Sequence, residues 1–240
     1  MPQPTSSVTF SRREKARLRL ASQGLTIRRW ESAEDVARAF GVMQGQDLHS
    51  VRRSLSLRAK DHSDAENIVR GYPMRNTLFA ASIKDIGWIT ELCAKGRKGD
   101  TELRAGVTKL IENPLSRAEL KERAATALPD VPFWHVVRVA MESGHAVYSG
   151  ADQLITPVDL PGLEETFNGD KVAATAELMT RYFRTHGPAT LRDFAWWAKL
   201  PQRLIRPAAE NLAPDIVRCG EDSQDLVSAE IVEMAEARKK

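Results

Sequence analysis

SRAELKERAATALPDVPFWHVVRVAMESGHAVYSGADQLITPV, residues 116–158 of a 240-residue chain, decides the fold. Ser116 followed by Glu119 is a capping box, and it opens a helix that runs to about Ala127. Leu128-Pro129-Asp130 turns the chain, and a second helix spans residues 133–143 and stops at Gly144. Two β-like pieces follow, His145 to Tyr148 and Leu154 to Val158, joined by Ser149-Gly150-Ala151. Immediately upstream, Leu103, Val107, Leu110 and Ile111 trace one face of another helix, closed by Asn113-Pro114. Three helices and then a hairpin is the order of a winged helix-turn-helix unit, here residues 99–160.

Downstream the order repeats over residues 168–235 without close sequence identity. A helix over 171–185 turns Ala174, Leu178, Tyr182 and Phe183 inward and ends at His186-Gly187-Pro188. Thr190 caps a second helix carrying Phe194, Trp197 and Leu200, and a third follows Pro201 over 202–212. Ile216 to Cys219 and Leu226 to Val232 read as the wing strands. The fold class expected is therefore mainly α with small β wings (α+β), built from tandem winged helix-turn-helix units. In each unit the third helix is the recognition candidate. The first offers His135 and Arg138 amid apolar surface and reads as a packing helix. The second offers Gln202, Arg203 and Arg206, which suit phosphates or a guanine edge. Of Trp196 and Trp197, one ring is expected in the core and one half-buried; packing is the commoner role, supporting a base the rarer.

Residues 1–98 form an N-terminal helical region. From Ser11 to Trp30 seven cations face one acid, Glu14, and a basic helix is expected over 11–22. Ser32 with Asp35 caps a helix that carries Val36, Phe40 and Met43; Asp47 caps another that carries Leu48, Val51 and Leu55. At the seam lie two primary amides, Gln44 and Gln46, around Gly45, which permits a tight break. Arg52, Arg53 and Arg58 follow, and they favour an anionic ligand there. Paired glutamines are more often merely solvated, so this spacing alone is weak. Ser63 to Glu66 reads as a further capping box leading into Ile68 and Val69, closed by Gly71; residues 75–80 read as a short strand, with Asn76 suited to positive φ. Ser82 with Asp85 begins a helix carrying Ile86, Ile89 and Cys93, closed by Lys95-Gly96.

A net charge of +3, with cations gathered near the start and acids over 210–236, permits a polyanion-binding face without requiring one. Cys93 and Cys219 lie far apart, with no metal-ligand spacing around them, so neither a disulfide nor a metal is expected. No apolar run is long enough to cross a bilayer, and the polar start lacks a secretory pattern. The expectation is a cytoplasmic monomer, nucleoid-associated if it binds DNA, with no cofactor.

Several pieces match one family. Met43-Gln44-Gly45-Gln46-Asp47 with Arg58 downstream, Pro73 to Leu78, Arg117 to Leu120, Arg181-Tyr182-Phe183 through Thr190, and Asp193 to Trp197 stand in its order. The chain resembles the winged-helix DNA-binding domain family that contains the AlkZ-type DNA glycosylases. The resemblance implies tandem winged-helix units forming a concave scaffold around double-stranded DNA. It also implies catalysis by a Gln-Φ-Gln or Gln-Φ-Asp motif, Φ being usually apolar, which maps onto Gln44 and Gln46. The substrates implied are bulky N-alkylated or crosslinked purines, released by hydrolysis of the N-glycosidic bond. DNA contacts are expected from Arg52, Arg53, Arg58, Arg75, Gln202, Arg203 and Arg206.

Three features depart from the family pattern: Gly45 stands at Φ, Phe79 stands where a histidine often follows the Arg-x-Thr element, and the third family unit is expected to be absent. The sequence leaves a monofunctional glycosylase beside two alternatives. One is a non-catalytic, regulatory winged-helix DNA-binding protein or an inactive truncated member; the other, further behind, is a winged-helix module that binds no DNA.

Overall fold

A computed structural model describes residues 9–26, 30–94, 101–220 and 224–237. Local capping explains most helix starts. Ser11 with Glu14 opens α1 (Arg12–Ser22) and Ser32 with Asp35 opens α2 (Ala33–Phe40). Gly41, at φ +69°, ends α2 in a conformation that disfavours a Cβ. The chain then extends as β1 (Met43–Gln44), and Asp47 caps α3 (Leu48–Ser56) through the Ser50 N–H at 2.7 Å.

Here the structure corrects two expectations. Met43 lies on a strand rather than on α2, because Gly41 has already broken the helix. The stretch into Ile68 and Val69 is likewise extended. Asp64 turns its carboxylate onto the N–H groups of Ala33 and Glu34, both at 3.1 Å, and so caps α2 instead of a helix of its own. After one 3-10 turn (Ala65–Asn67) the chain runs as β2 (Ile68–Met74), with burial alternating along it. Arg75 and Asn76, at φ 58° and 52°, form a two-residue turn into β3 (Thr77–Ser82). The positive φ expected at Asn76 is present; that at Arg75 was not expected. α4 (Ile83–Cys93) follows. The closure expected at Lys95-Gly96 lies outside the described residues.

The next helices are α5 (Thr101–Leu110), α6 (Arg117–Ala127) and α7 (Phe133–Glu142), with the hairpin β4 (Ala146–Ser149) and β5 (Leu154–Pro157) after them. This hairpin does not stand apart from the N-terminal region. Arg70 pairs with Tyr148, giving one antiparallel sheet in the order β1-β3-β2-β4-β5, which crosses the boundary drawn near residue 98. A short α8 (Leu163–Phe167) leads to α9 (Lys171–His186), α10 (Leu191–Ala198) and α11 (Gln202–Ala208). Then β6 (Ile216–Cys219) pairs with β7 (Asp225–Ser228). The strand expected to reach Val232 stops at Ser228 and gives way to α12 (Ala229–Ala237).

Among the described residues, four apolar clusters hold these elements. The largest joins Trp88 of α4, Phe79 of β3, Leu178 and Phe183 of α9, and Phe194 of α10. A second, around Leu120, Val136 and Ile155, binds α5, α6 and α7 to the β4–β5 hairpin. A third packs α2 and α3 over β1 and β3 through Val36, Phe40 and Val51. The fourth brings Leu18 of α1 against Val227 and Ile231 near the other end of the chain. The fully buried side chains each stabilise the fold by roughly 1.5–3 kcal/mol before entropy is counted.

Candidate functional site

Gln44 and Gln46 are both exposed, while Gly45 between them is buried. Gln44 pairs with Phe79 across β1 and β3, and the Gly45 N–H donates to the Leu78 carbonyl at 3.1 Å. A Cβ on Gly45 would stand 2.4 Å from the Phe79 carbonyl carbon and 2.5 Å from the Ala80 nitrogen, both backbone atoms. Glycine is thus required here by close approach and not by its φ. The tight break expected at Gly45 is in fact a seat against β3, with a polar amide on either side.

Arg70 of β2 fixes this turn, and the sequence reading missed it. Its Nη1 donates to the Gly45 carbonyl at 2.8 Å and reaches the Gln46 carbonyl at 3.4 Å. Its Nε donates to Gln153 Oε1 at 2.6 Å, and its guanidinium lies 5.6 Å from the centre of the Tyr148 ring. Burial lowers its pKa, partly opposed by Tyr148 and Asp47, and it stays cationic at neutral pH. The Tyr148 hydroxyl in turn accepts from Arg117 at 2.9 Å. Arg117 and the Gln44–Gln46 turn, 71 positions apart, are therefore linked through Tyr148 and Arg70. Alternation of Val69, Arg70 and Gly71 was the available signal, but reading that stretch as a helix end hid it.

Beside the turn, Arg70, Gln153, Arg52 and Leu48 help to line a cleft of about 230 Å³ between α3 and the β4–β5 hairpin. Arg53 is exposed in the last turn of α3. Arg58 does not join them, contrary to the expectation of a DNA contact. It is only 8% exposed, donates to the Gln23 and Ser54 carbonyls at 2.8 Å each, and lies against the Phe40 ring. Burial lowers its pKa. Its guanidinium anchors α3 from beneath.

Arg75 stands exposed at the β2–β3 turn, 5.7 Å from the centre of the Trp196 ring. Trp196 is 66% exposed, more than expected for either tryptophan, and Lys199 also lies 4.8 Å from that ring. Trp197 packs among Tyr182, His186 and Phe194. Gln202, Arg203 and Arg206 are exposed together on α11. On α7 an exposed Trp134 stacks on His135, with Arg138 over it, so this helix is less a pure packing element than its sequence implied.

Behind the site, Asp85 is buried and accepts from Arg181 Nη1 at 2.8 Å and from the Trp88 indole N–H at 3.0 Å. Burial would lower the Arg181 pKa, but Asp85 and Glu177 outweigh it and raise it. Burial pushes the Cys93 thiol up to about 12 and Cys219 to about 11, as suits cysteines acting as small apolar groups. Among the described residues no group of three or more His, Cys, Asp or Glu is placed to hold a metal, and no helix is long and apolar enough to cross a membrane.

Comparison with known proteins finds one family and one solved structure. The model of a family described as DNA glycosylase AlkZ-like matches residues 37–239. The solved structure of the Streptomyces sahachiroi DNA glycosylase AlkZ is similar with a TM-score of 0.67 at 17% identity, over 96% of this chain and 73% of that one. No curated protein matches the chain.

Proposed function

The chain belongs to the AlkZ-like DNA glycosylase family, and from that premise we propose that it is a DNA repair glycosylase with Gln44 and Gln46 as its catalytic pair. The observation that carries this reading is the pair of exposed amides held on one rigid turn by Arg70. An N7-alkylated purine is cationic and leaves readily. In the reaction the C1′–N9 bond breaks with its electron pair going to the base, and a sugar with oxocarbenium character develops. The amide oxygens of Gln44 and Gln46 orient a water and face the developing positive charge. The water oxygen bonds to C1′, its proton passes to solvent, and an abasic site and a free base result. Neither amide titrates, so the pair itself imposes no pH dependence.

The helix–helix–helix–hairpin order of residues 99–160 and 168–235 supports winged-helix units that grip duplex DNA. Arg52, Arg53 and Arg75 near the turn and Gln202, Arg203 and Arg206 on α11 are the proposed contacts to phosphate and groove. An open surface suits a bulky or crosslinked base better than a tight flipping pocket. A non-catalytic DNA-binding protein is the second reading, favoured by one observation: Gly45 provides no side chain to anchor the two amides.

Incubation with duplex containing 7-methylguanine or a purine crosslink, followed by abasic-site cleavage, tests the proposal. Base release that is abolished in Gln44→Ala and Gln46→Ala, with the fold retained, is expected. Duplex binding without release from either substrate would leave the second reading. Binding should weaken with salt at a slope of about −0.9 per phosphate contacted.

A further inference from the structure

Among the described residues, five non-glycine residues have positive φ, including Arg75 at 58° and Lys199 at 56°. Their positions are ones where glycine or asparagine is favoured. Arg75 is the first residue of the two-residue β2–β3 turn, and Lys199 is the left-handed residue that closes α10. A cation with a β-carbon at either place sets the backbone at a disadvantage. Yet these two strained positions, 124 residues apart, deliver their charges to one side chain, the Trp196 indole. An exposed cation–π contact returns no more than the backbone loses, so local stability does not account for the choice.

Nor do other groups. Among the described residues neither the Arg75 guanidinium nor the Lys199 ammonium has a carboxylate in ion-pair range, and both side chains are exposed. The indole they share is 66% exposed on a helix whose other rings face the core. Arg75, Lys199 and Arg104 also line one hollow of about 300 Å³, with Tyr72, Asn76 and the single acid Glu142. An exposed indole with unpaired cations on it is the combination that takes a nucleobase on the ring and its flanking phosphates on the charges.

We propose that Trp196, Arg75 and Lys199 form a stacking platform for an unpaired nucleobase of the DNA opened at the lesion. The proposal rests on the DNA reading above and adds a site to it. Phe79, paired with Gln44, follows the β2–β3 turn by three residues on β3, so the turn that carries Arg75 and the amides lie along one strand, roughly 10 Å apart in rise. A base displaced from the helix beside the lesion would rest on the indole while the amides face the sugar.

Fluorescence anisotropy with a labelled fully paired duplex, the same duplex with a one-base bulge, and a short oligo-dT strand tests this. The wild-type chain should prefer the bulged duplex and bind oligo-dT. Trp196→Ala should lose roughly tenfold or more on both while keeping its affinity for the paired duplex, and Trp196→Phe should retain most of the preference. Lys199→Gly and Arg75→Gly should each flatten the salt slope on the bulged duplex by about 0.9, with melting temperatures unchanged or raised. Equal wild-type affinity for paired and bulged duplex would overturn the platform while leaving DNA binding intact. A Trp196→Ala protein with its preference undiminished, or glycine variants that melt markedly earlier, would also overturn it, the latter by making the cluster structural. No binding to any of the three DNAs would remove the functional reading together with the platform.

Discussion

Gly45 imposes the sharpest steric demand at the amide turn, since a β-carbon there would stand 2.4 Å from a backbone atom of Phe79. Backbone cannot swing aside as a side-chain end can, so Gly45→Ala must lift β1 off β3. We expect a loss of about 1–3 kcal/mol in urea unfolding and abolished base release; unchanged stability would mean that the turn is not seated as described. Arg70→Lys keeps the charge but cannot reach the Gly45 carbonyl and Gln153 together. Base release should fall by up to about 10²-fold through misplacement of the amides, with duplex affinity almost unchanged. Equal losses in release and in binding would make Arg70 a DNA contact instead. The sequence singled out Gln44 and Gln46 by their spacing and the resemblance, and the structure adds that both are exposed on either side of a buried Gly45. The reason for Gly45 was not legible, because the atom it must avoid lies 34 positions away. Arg58 was misleading for a similar cause: sequence shows a cation beside the site, but not the Gln23 carbonyl that holds it inward.

At the scale of elements, the short-range chemistry was readable. The cap at Ser32, the capping box at Ser116 and the caps at Asp47 and Thr190 all form. Asp85 shows the limit. With Ser82 it reads as opening α4; Ser82 does cap, through Lys84, but Asp85 turns inward to Arg181 and Trp88. Arg181 also donates to the Arg38 carbonyl at 2.9 Å, so α2, α4 and α9 meet at one buried charge pair. Removing one partner strands the other in the core. Asp85→Ala should therefore cost about 3–5 kcal/mol, a fall in melting temperature on the order of 10 °C for a chain of this size. A fall of only a degree or two would show that water reaches Arg181. Strand β2 was lost for want of a partner. Its alternation becomes decisive only beside β3 and β4, and β4 lies more than 70 residues away.

Across the whole molecule the pieces were recognisable and their assembly was not. The cations near the start and the acids near the end, read as a charge asymmetry, partly answer each other: Lys15 pairs with Asp225 at 2.6 Å, and α1 packs near α12. Another long-range junction lies at His186. Its ring stacks on Tyr182 at 4.7 Å, meets Phe40 of α2 edge-on at 5.6 Å and tilts against Trp197. Burial, reinforced by the nearby Arg58 charge and only partly opposed by a backbone hydrogen bond, lowers its pKa from 6.5 to about 4. The unfolded chain therefore takes up a proton near pH 6.5 that the folded chain refuses until about pH 4. Stability contributed by the neutral ring is complete above pH 6.5 and falls as acid is added, levelling off below about pH 4. The total loss over that window is on the order of 3 kcal/mol, and carboxylates add their own slopes at its lower end. His186→Phe keeps an aromatic body in the cluster but has no proton to exchange. Chemical unfolding of both proteins at pH 7.5, 6, 5 and 4 should show the wild type losing more stability between 7.5 and 5 than the variant. Parallel curves would place the His186 ring in contact with solvent and remove it from the junction between α2 and α9.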